Sequence, residues 1–157
     1  MTVDFSRSER VGRLTLAFDD LNRLTPSRMD EFAAAVEAVP DDVSVLVVSG
    51  ERGLSAGLHL GEAVDYDTAA ARAMFDSLYG AVEAVRDTDS ITVADCGAFA
   101  LGAGFEIALG ADFRVAEADD EIVGFVSFDA ERGTVHVTQL AGSSDACEEL
   151  LSDPIEF

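Results

Sequence analysis

The chain contains no lysine and no tryptophan, and only two cysteines. Each absence excludes something. Without lysine, all ten basic residues are arginine, and they face 31 aspartates and glutamates, for a formal charge of -21. A surface of that sign repels nucleic acid and anionic lipid, so neither is expected as a main partner. No GK[ST] triplet occurs, which excludes a P-loop. Cys96 and Cys147 stand in different contexts, with no CxxC and no neighbouring histidine. They are expected to be reduced core thiols, and no metal site is expected. No apolar run is long enough to span a membrane, and the opening MTVDFSRSER lacks an apolar signal core. The expected location is therefore the cytoplasm.

What remains is enough for a folded body. With 157 residues, 48% of them apolar, the expectation is a single domain over residues 1–157. High net charge alone would suggest disorder, but apolar segments recur along the whole length. Dense carboxylates stay hydrated in concentrated salt, and salt screens their mutual repulsion. The composition thus predicts a folded protein from a salt-loving source.

Strand-like and helix-like segments alternate. Residues 11–18 (VGRLTLAF) alternate in polarity as a strand does. Thr25-Pro26 opens a helix, a capping hydroxyl followed by proline where no N–H is needed. Met29, Phe32, Ala33 and Val36 follow at helical spacing, and the helix is expected to end near Pro40. Residues 43–49 (VSVLVVS) read as a strand buried on both faces. A second helix is predicted from Thr68 to about Arg86, with Met74, Leu78, Ala81, Val82 and Val85 on one side. Strands are predicted over 91–96, 113–116, 122–128 and 134–138, a short buried helix over 102–110, and a last helix from Ser143 to about Leu151. The alternation argues for an α/β layered fold.

The segment from Cys96 to Ala111, CGAFALGAGFEIALGA, holds one ionisable carboxylate, Glu106. Gly102-Ala103-Gly104 begins like a dinucleotide fingerprint, but Ile107 breaks it. The bland reading is that these glycines permit tight helix–strand packing. Against it, a carboxyl buried in so apolar a stretch would favour its neutral form and suit proton transfer. Upstream, LSAGLHL (54–60) forms a second glycine-containing turn. Two such turns facing each other could hold an oxyanion with main-chain N–H groups. A rival reading is the GLSAG of residues 53–57, which matches G-x-S-x-G with Ser55 as a hydrolase nucleophile and His136 as a candidate base. Glu51 and Arg52 separate that serine from its strand, and His136 sits within TVHVT, both of which weigh against it. Asp129 and Glu131, in SFDAERG, are candidates for a second catalytic carboxylate, though an exposed acid is the plainer reading of each in a chain this acidic.

LNRLTPSRMDEFAAAVEAV, VSVLVVSGERGLSAGLHL and ITVADCGAFALGAGFEIALGADFRVAEADDEI, taken together, resemble the crotonase family, the enoyl-CoA hydratase/isomerase superfamily. The resemblance covers nearly the whole chain. It implies an α/β fold built as a spiral of ββα units, here without the usual C-terminal helical region, so that either another subunit covers the site or the site is open. It implies an acyl-CoA thioester as partner, with coenzyme A as part of the substrate and no separate cofactor, and a homo-oligomer, a trimer or hexamer. By position, the Leu58 and Ala103 amides would hold the thioester oxygen and Glu106 would act as acid/base. Asp129 would be the second acid if a short deletion is allowed; without it the position falls on Val126. Asn22, Arg23, Leu24, Arg52, Ala56, Gly57, His59 and Leu60 would line the CoA. Hydratase or isomerase chemistry is thus the first expectation, an acyl-CoA-binding or partner subunit without turnover the second, and the Ser55 hydrolase the third.

Overall fold

A computed structural model describes residues 3–118, 121–129 and 134–139, with side chains as far as residue 116. The expected helix from Ser143, together with Cys147 and Glu131, lies outside the described residues. The elements in order are β1 (Val3–Ser8), β2 (Val11–Leu16), α1 (Pro26–Glu37), β3 (Val45–Gly50), α2 (Leu60–Ala63), α3 (Thr68–Asp87), β4 (Ile91–Asp95), α4 (Ala103–Leu109), β5 (Phe113–Ala118), β6 (Glu121–Asp129) and β7 (Thr134–Gln139).

Thr25 caps α1 by accepting from the Arg28 N–H, with Pro26 in the first turn, as its sequence dictates. Met29, Phe32 and Val36 form its buried stripe. Asp67 caps α3 in the same way, and Met74, Leu78, Ala81 and Val85 are its buried face. The two helices pack on each other and on the sheet through Leu14, Leu16, Leu46 and Val48, each at most 1% exposed. Burying a side chain of that size stabilises the fold by about 1.5–3 kcal/mol.

The strands form one sheet in the order β1 to β7. The first pair is antiparallel, β2 to β5 run parallel, and β5, β6 and β7 are antiparallel. Each parallel step needs a crossover, supplied by α1, by α2 with α3, and by α4. The chain between each strand and its helix makes a second, shorter rung. Leu24 bridges Leu58, and Ser55 bridges Ala100, both in parallel. One turn of the molecule is therefore strand, rung, helix, wound in one direction.

Two expectations are corrected. β3 is not buried on both faces: Leu46 and Val48 point into the core, while Val45 and Val47 are half-buried, because α1 and α3 cover one face of the sheet. The 102–110 helix is not wholly buried either. Ala103, Gly104, Ile107 and Ala108 are, but Phe105, Glu106 and Leu109 are exposed. Cys96 is buried and free, and burial, helped by Asp95, pushes its thiol up. Among the described residues no helix is long and apolar enough to cross a membrane.

Candidate active site

Three loops leave the C-terminal ends of β2, β3 and β4 and stack in that order. The middle loop, 51–60, bonds to the first through Leu24 and to the third through Ser55, whose carbonyl accepts the Leu101 N–H at 2.9 Å. The middle and third loops touch. Gly57 has φ of +91°, and a Cβ there would stand 2.7 Å from the Leu101 oxygen and 3.3 Å from the Ala103 nitrogen. Only glycine fits that approach. Gly104 is equally tight, since a Cβ on it would meet the Ser55 oxygen at 2.5 Å. Leu58 follows Gly57 directly, so the two candidate amide donors sit on segments in contact. Among the described residues neither the Leu58 nor the Ala103 N–H donates a hydrogen bond. α4 begins at Gly102 without a side-chain cap, whereas α1, α2 and α3 are each capped by a side chain.

Ser55 is fully buried. Its hydroxyl donates to the Asn22 oxygen at 2.7 Å and accepts the Gly57 N–H at 3.0 Å. His59 caps α2, its Nδ1 accepting the Glu62 N–H at 3.2 Å. The hydrolase reading is therefore overturned: a nucleophile elbow exposes its hydroxyl, and this one is enclosed and engaged on both sides.

The residues expected along CoA divide. Asn22 and Leu24 are buried, at 4% and 1% exposure. The Asn22 amide is engaged within the chain, with Oδ1 accepting the Phe18 N–H at 3.0 Å and Nδ2 donating to the Gly53 oxygen at 3.4 Å. Both side chains are thus enclosed within the fold, which leaves only the main chain of these two residues for a contact with CoA. Arg23 is exposed, with Nε on Asp19 at 3.4 Å. Arg52 and Leu60 are exposed, Ala56, Leu58 and His59 half-buried, and Gly57 buried. Asp19 organises the first loop, accepting from the Leu21 and Arg23 N–H groups and from Arg28 Nη1 at 2.7 Å. Burial alone would raise its carboxyl, but the Arg28 hydrogen bond and those two amides outweigh it and hold it down at about 2.

Glu106 lies three residues into α4 and opens onto a groove of about 540 Å³ between α3 and α4. Phe75, Leu78, Tyr79, Val82 and Leu109 supply its apolar walls, and Asp76 is its other carboxylate. Phe75 and Tyr79 are each 60% exposed, large values for aromatics beside a carboxyl. Sequence reading missed Asp76, which nothing distinguishes among so many acids. It missed the aromatic pair because Phe75 and Tyr79 flank the buried stripe of α3. At the other end of α4, Arg114 is buried and donates Nη1 to the Ala111 oxygen at 2.6 Å and the Ala108 oxygen at 3.2 Å. A cation on the last carbonyls is the stabilising arrangement. Burial lowers this guanidinium, with Cys96 and Asp112 acting the other way. Asp129 ends β6, paired with Thr134, and Val126 lies within the strand opposite Arg114. Among the described residues no group of three or more His, Cys, Asp or Glu could hold a metal ion.

Residues 6–138 match the family model described as enoyl-CoA hydratase/isomerase. Over 144 residues the chain is 33% identical to the fatty acid oxidation complex subunit alpha of Pseudomonas aeruginosa (strain LESB58), covering 83% of this chain and 19% of that subunit. The solved structure of Pseudomonas aeruginosa DspI is 30% identical with a TM-score of 0.68, over 74% of this chain and 49% of that one. An enoyl-CoA hydratase from Bacillus halodurans shares the fold, with a TM-score of 0.67 at 21% identity, over 74% of this chain and 50% of that one. The chain thus spans about half the length of these solved relatives and about a fifth of the curated subunit.

Proposed function

Because the chain belongs to the enoyl-CoA hydratase/isomerase family, we propose that it binds an acyl-CoA thioester, holds the thioester oxygen between the Leu58 and Ala103 amides, and moves a proton with Glu106. The observation that carries this reading is the approach of Gly57 to the Ala103 nitrogen, which brings two unengaged N–H groups onto neighbouring segments. Removing a proton from the carbon beside the carbonyl pushes charge onto the thioester oxygen. Two fixed N–H donors stabilise that charge as it forms.

Glu106, one turn along α4 from Ala103, takes the proton as a carboxylate and returns it. In an isomerase-type shift one C–H bond breaks, the double bond moves along the acyl chain, and the proton is replaced at another carbon. Hydration of a 2-enoyl thioester also needs a second acid to direct water, a role proposed for Asp129. The acyl chain would follow the Phe75, Tyr79 and Leu109 wall. The CoA portion would run past Arg23, Arg52, Ala56, His59 and Leu60. The exposed apolar side chains of Val64 and Phe105 suit contact with further copies of the chain in a homo-oligomer.

A second reading, acyl-CoA binding without turnover, is favoured by the exposure of Glu106. Water-filled surroundings weaken each electrostatic contact that catalysis uses. Assays of 2-enoyl-CoA and 3-enoyl-CoA turnover in high salt separate the two. The first reading expects turnover that falls by about 10²–10⁴ in Glu106→Gln, the range for losing an acid/base group. Binding of CoA esters with no turnover by the wild type leaves the second reading standing, and no binding removes both.

A further inference from the structure

The first loop carries neither candidate donor, yet its hydrogen bonds fix one of them. Asn22 is at its centre, in the left-handed region with φ of +48°. Asparagine tolerates that conformation better than most residues, and its amide offers both a donor and an acceptor. Both are used, Oδ1 for the Phe18 N–H and Nδ2 for the Gly53 oxygen, while the main-chain N–H donates to the Asp19 oxygen at 2.9 Å. The Asn22 carbonyl takes the Ser55 hydroxyl, and that same hydroxyl takes the Gly57 N–H. Two residues on, the Leu24 N–H donates to the Gly57 oxygen at 2.8 Å and its carbonyl accepts the His59 N–H at 2.8 Å.

The consequence for Leu58 is geometric. In a parallel bridge the residue flanked by the two bonds turns its own N–H and C=O to the opposite side. The peptide joining Gly57 to Leu58 is planar and trans, so anchoring its oxygen on Leu24 sends its N–H the other way. Because the 51–60 loop is the middle rung, that other way is the side occupied by residues 100–103. We infer that Asn22 is a positioning residue for the Leu58 amide, holding the 53–58 turn so that this N–H meets the thioester oxygen. The inference rests on the oxyanion reading of Leu58 and Ala103.

A chromophoric thioester, 4-(dimethylamino)cinnamoyl-CoA, tests it, because hydrogen bonds to its carbonyl move its absorption to the red. The maximum is read at saturation, so it reports on the bound carbonyl and not on the folded fraction. Asn22→Gly keeps the left-handed backbone and removes the amide, and Asn22→Asp keeps the acceptor for the Phe18 N–H but removes the donor to the Gly53 oxygen. The red shift of the wild type is expected to be mostly lost in Asn22→Gly and only partly retained in Asn22→Asp, which loses the bond to the Gly53 oxygen. Any turnover is expected to fall roughly tenfold to a hundredfold in kcat, with KM little changed, as for a misaimed group. If Asn22→Gly does not fold, as judged by circular dichroism, Ser55→Ala cuts the other link between this loop and the 53–58 turn, the hydroxyl on the Asn22 main-chain oxygen, and is expected to lose part of the shift. A full shift in folded Asn22→Gly, or in Ser55→Ala where that variant stands in, overturns the inference alone. No shift in the wild type overturns the oxyanion reading itself, and the inference with it.

Discussion

The two turns that meet at Gly57 and Ala103 are built in opposite ways. The 53–58 turn is held from behind by a loop distant in sequence, through Asn22, Leu24 and the Ser55 hydroxyl. The 101–104 turn is the start of a short helix, held by close packing of Gly104 on Ser55 and by Arg114 at the far end of α4. A main-chain donor has no side chain of its own to aim it. It is aimed either by what bonds to the back of its peptide or by what the neighbouring backbone leaves room for. The first turn is bonded by a loop distant in sequence and the second mainly by its own helix, whose Phe105 and Glu106 N–H groups take the Gly102 carbonyl, so different disturbances should reach each.

Gly57→Ala strikes where the two schemes meet and should have the largest effect. A methyl there would meet the Leu101 oxygen at 2.7 Å in a positive-φ conformation. Strain and overpacking together predict a loss of about 2–4 kcal/mol in urea unfolding. A loss below about 1 kcal/mol would mean the turns do not rely on that contact. Arg114→Met tests the second turn alone. It leaves the Ala108 and Ala111 carbonyls without their cation and should cost about 1–3 kcal/mol. Hydrogen exchange should quicken along α4 and not in residues 53–58; equal change in both would erase the distinction.

Acid should touch the first turn more than the second, with the smallest effect of the three. The Asp19 carboxyl is held at about 2, below its ordinary 3.8. Its stabilising contribution is fully present above pH 3.8 and is lost as pH falls through 2. Wild type and Asp19→Asn should therefore differ by at most about 1 kcal/mol in urea unfolding at neutral pH, as for a partly exposed ion pair. That difference should shrink as pH falls from 3.8 towards 2, and a difference constant across that range would detach Asp19 from the stability of the loop.

Much of the frame was legible because short-range chemistry announced it. Thr25-Pro26 and the Met29, Phe32, Val36 stripe gave α1, and Met74, Leu78, Ala81 and Val85 gave the buried face of α3. β1 was not legible, since VDFSRS buries only Val3 and alternates poorly. Nor was α2, four residues with no buried side chain. Both candidate amides were found through turn chemistry and family likeness. Glu106 was expected inside because its neighbours are apolar. Hydropathy reports what prefers to leave water, not what is available to cover it, and Phe105 and Leu109 stay exposed beside it. The part Asn22 plays in the loop was not read, although an asparagine in a tight turn, DDLNRL, is itself a signal of left-handed backbone.

The bond from Ser55 to Asn22 joins residues 33 apart in the chain. A donor secured over that distance is not portable. Copying residues 53–58 into another scaffold would transfer the letters without the brace, and the grafted amide would wander. The recipient would need the 18–24 loop as well, delivered at the same spacing and from the same side.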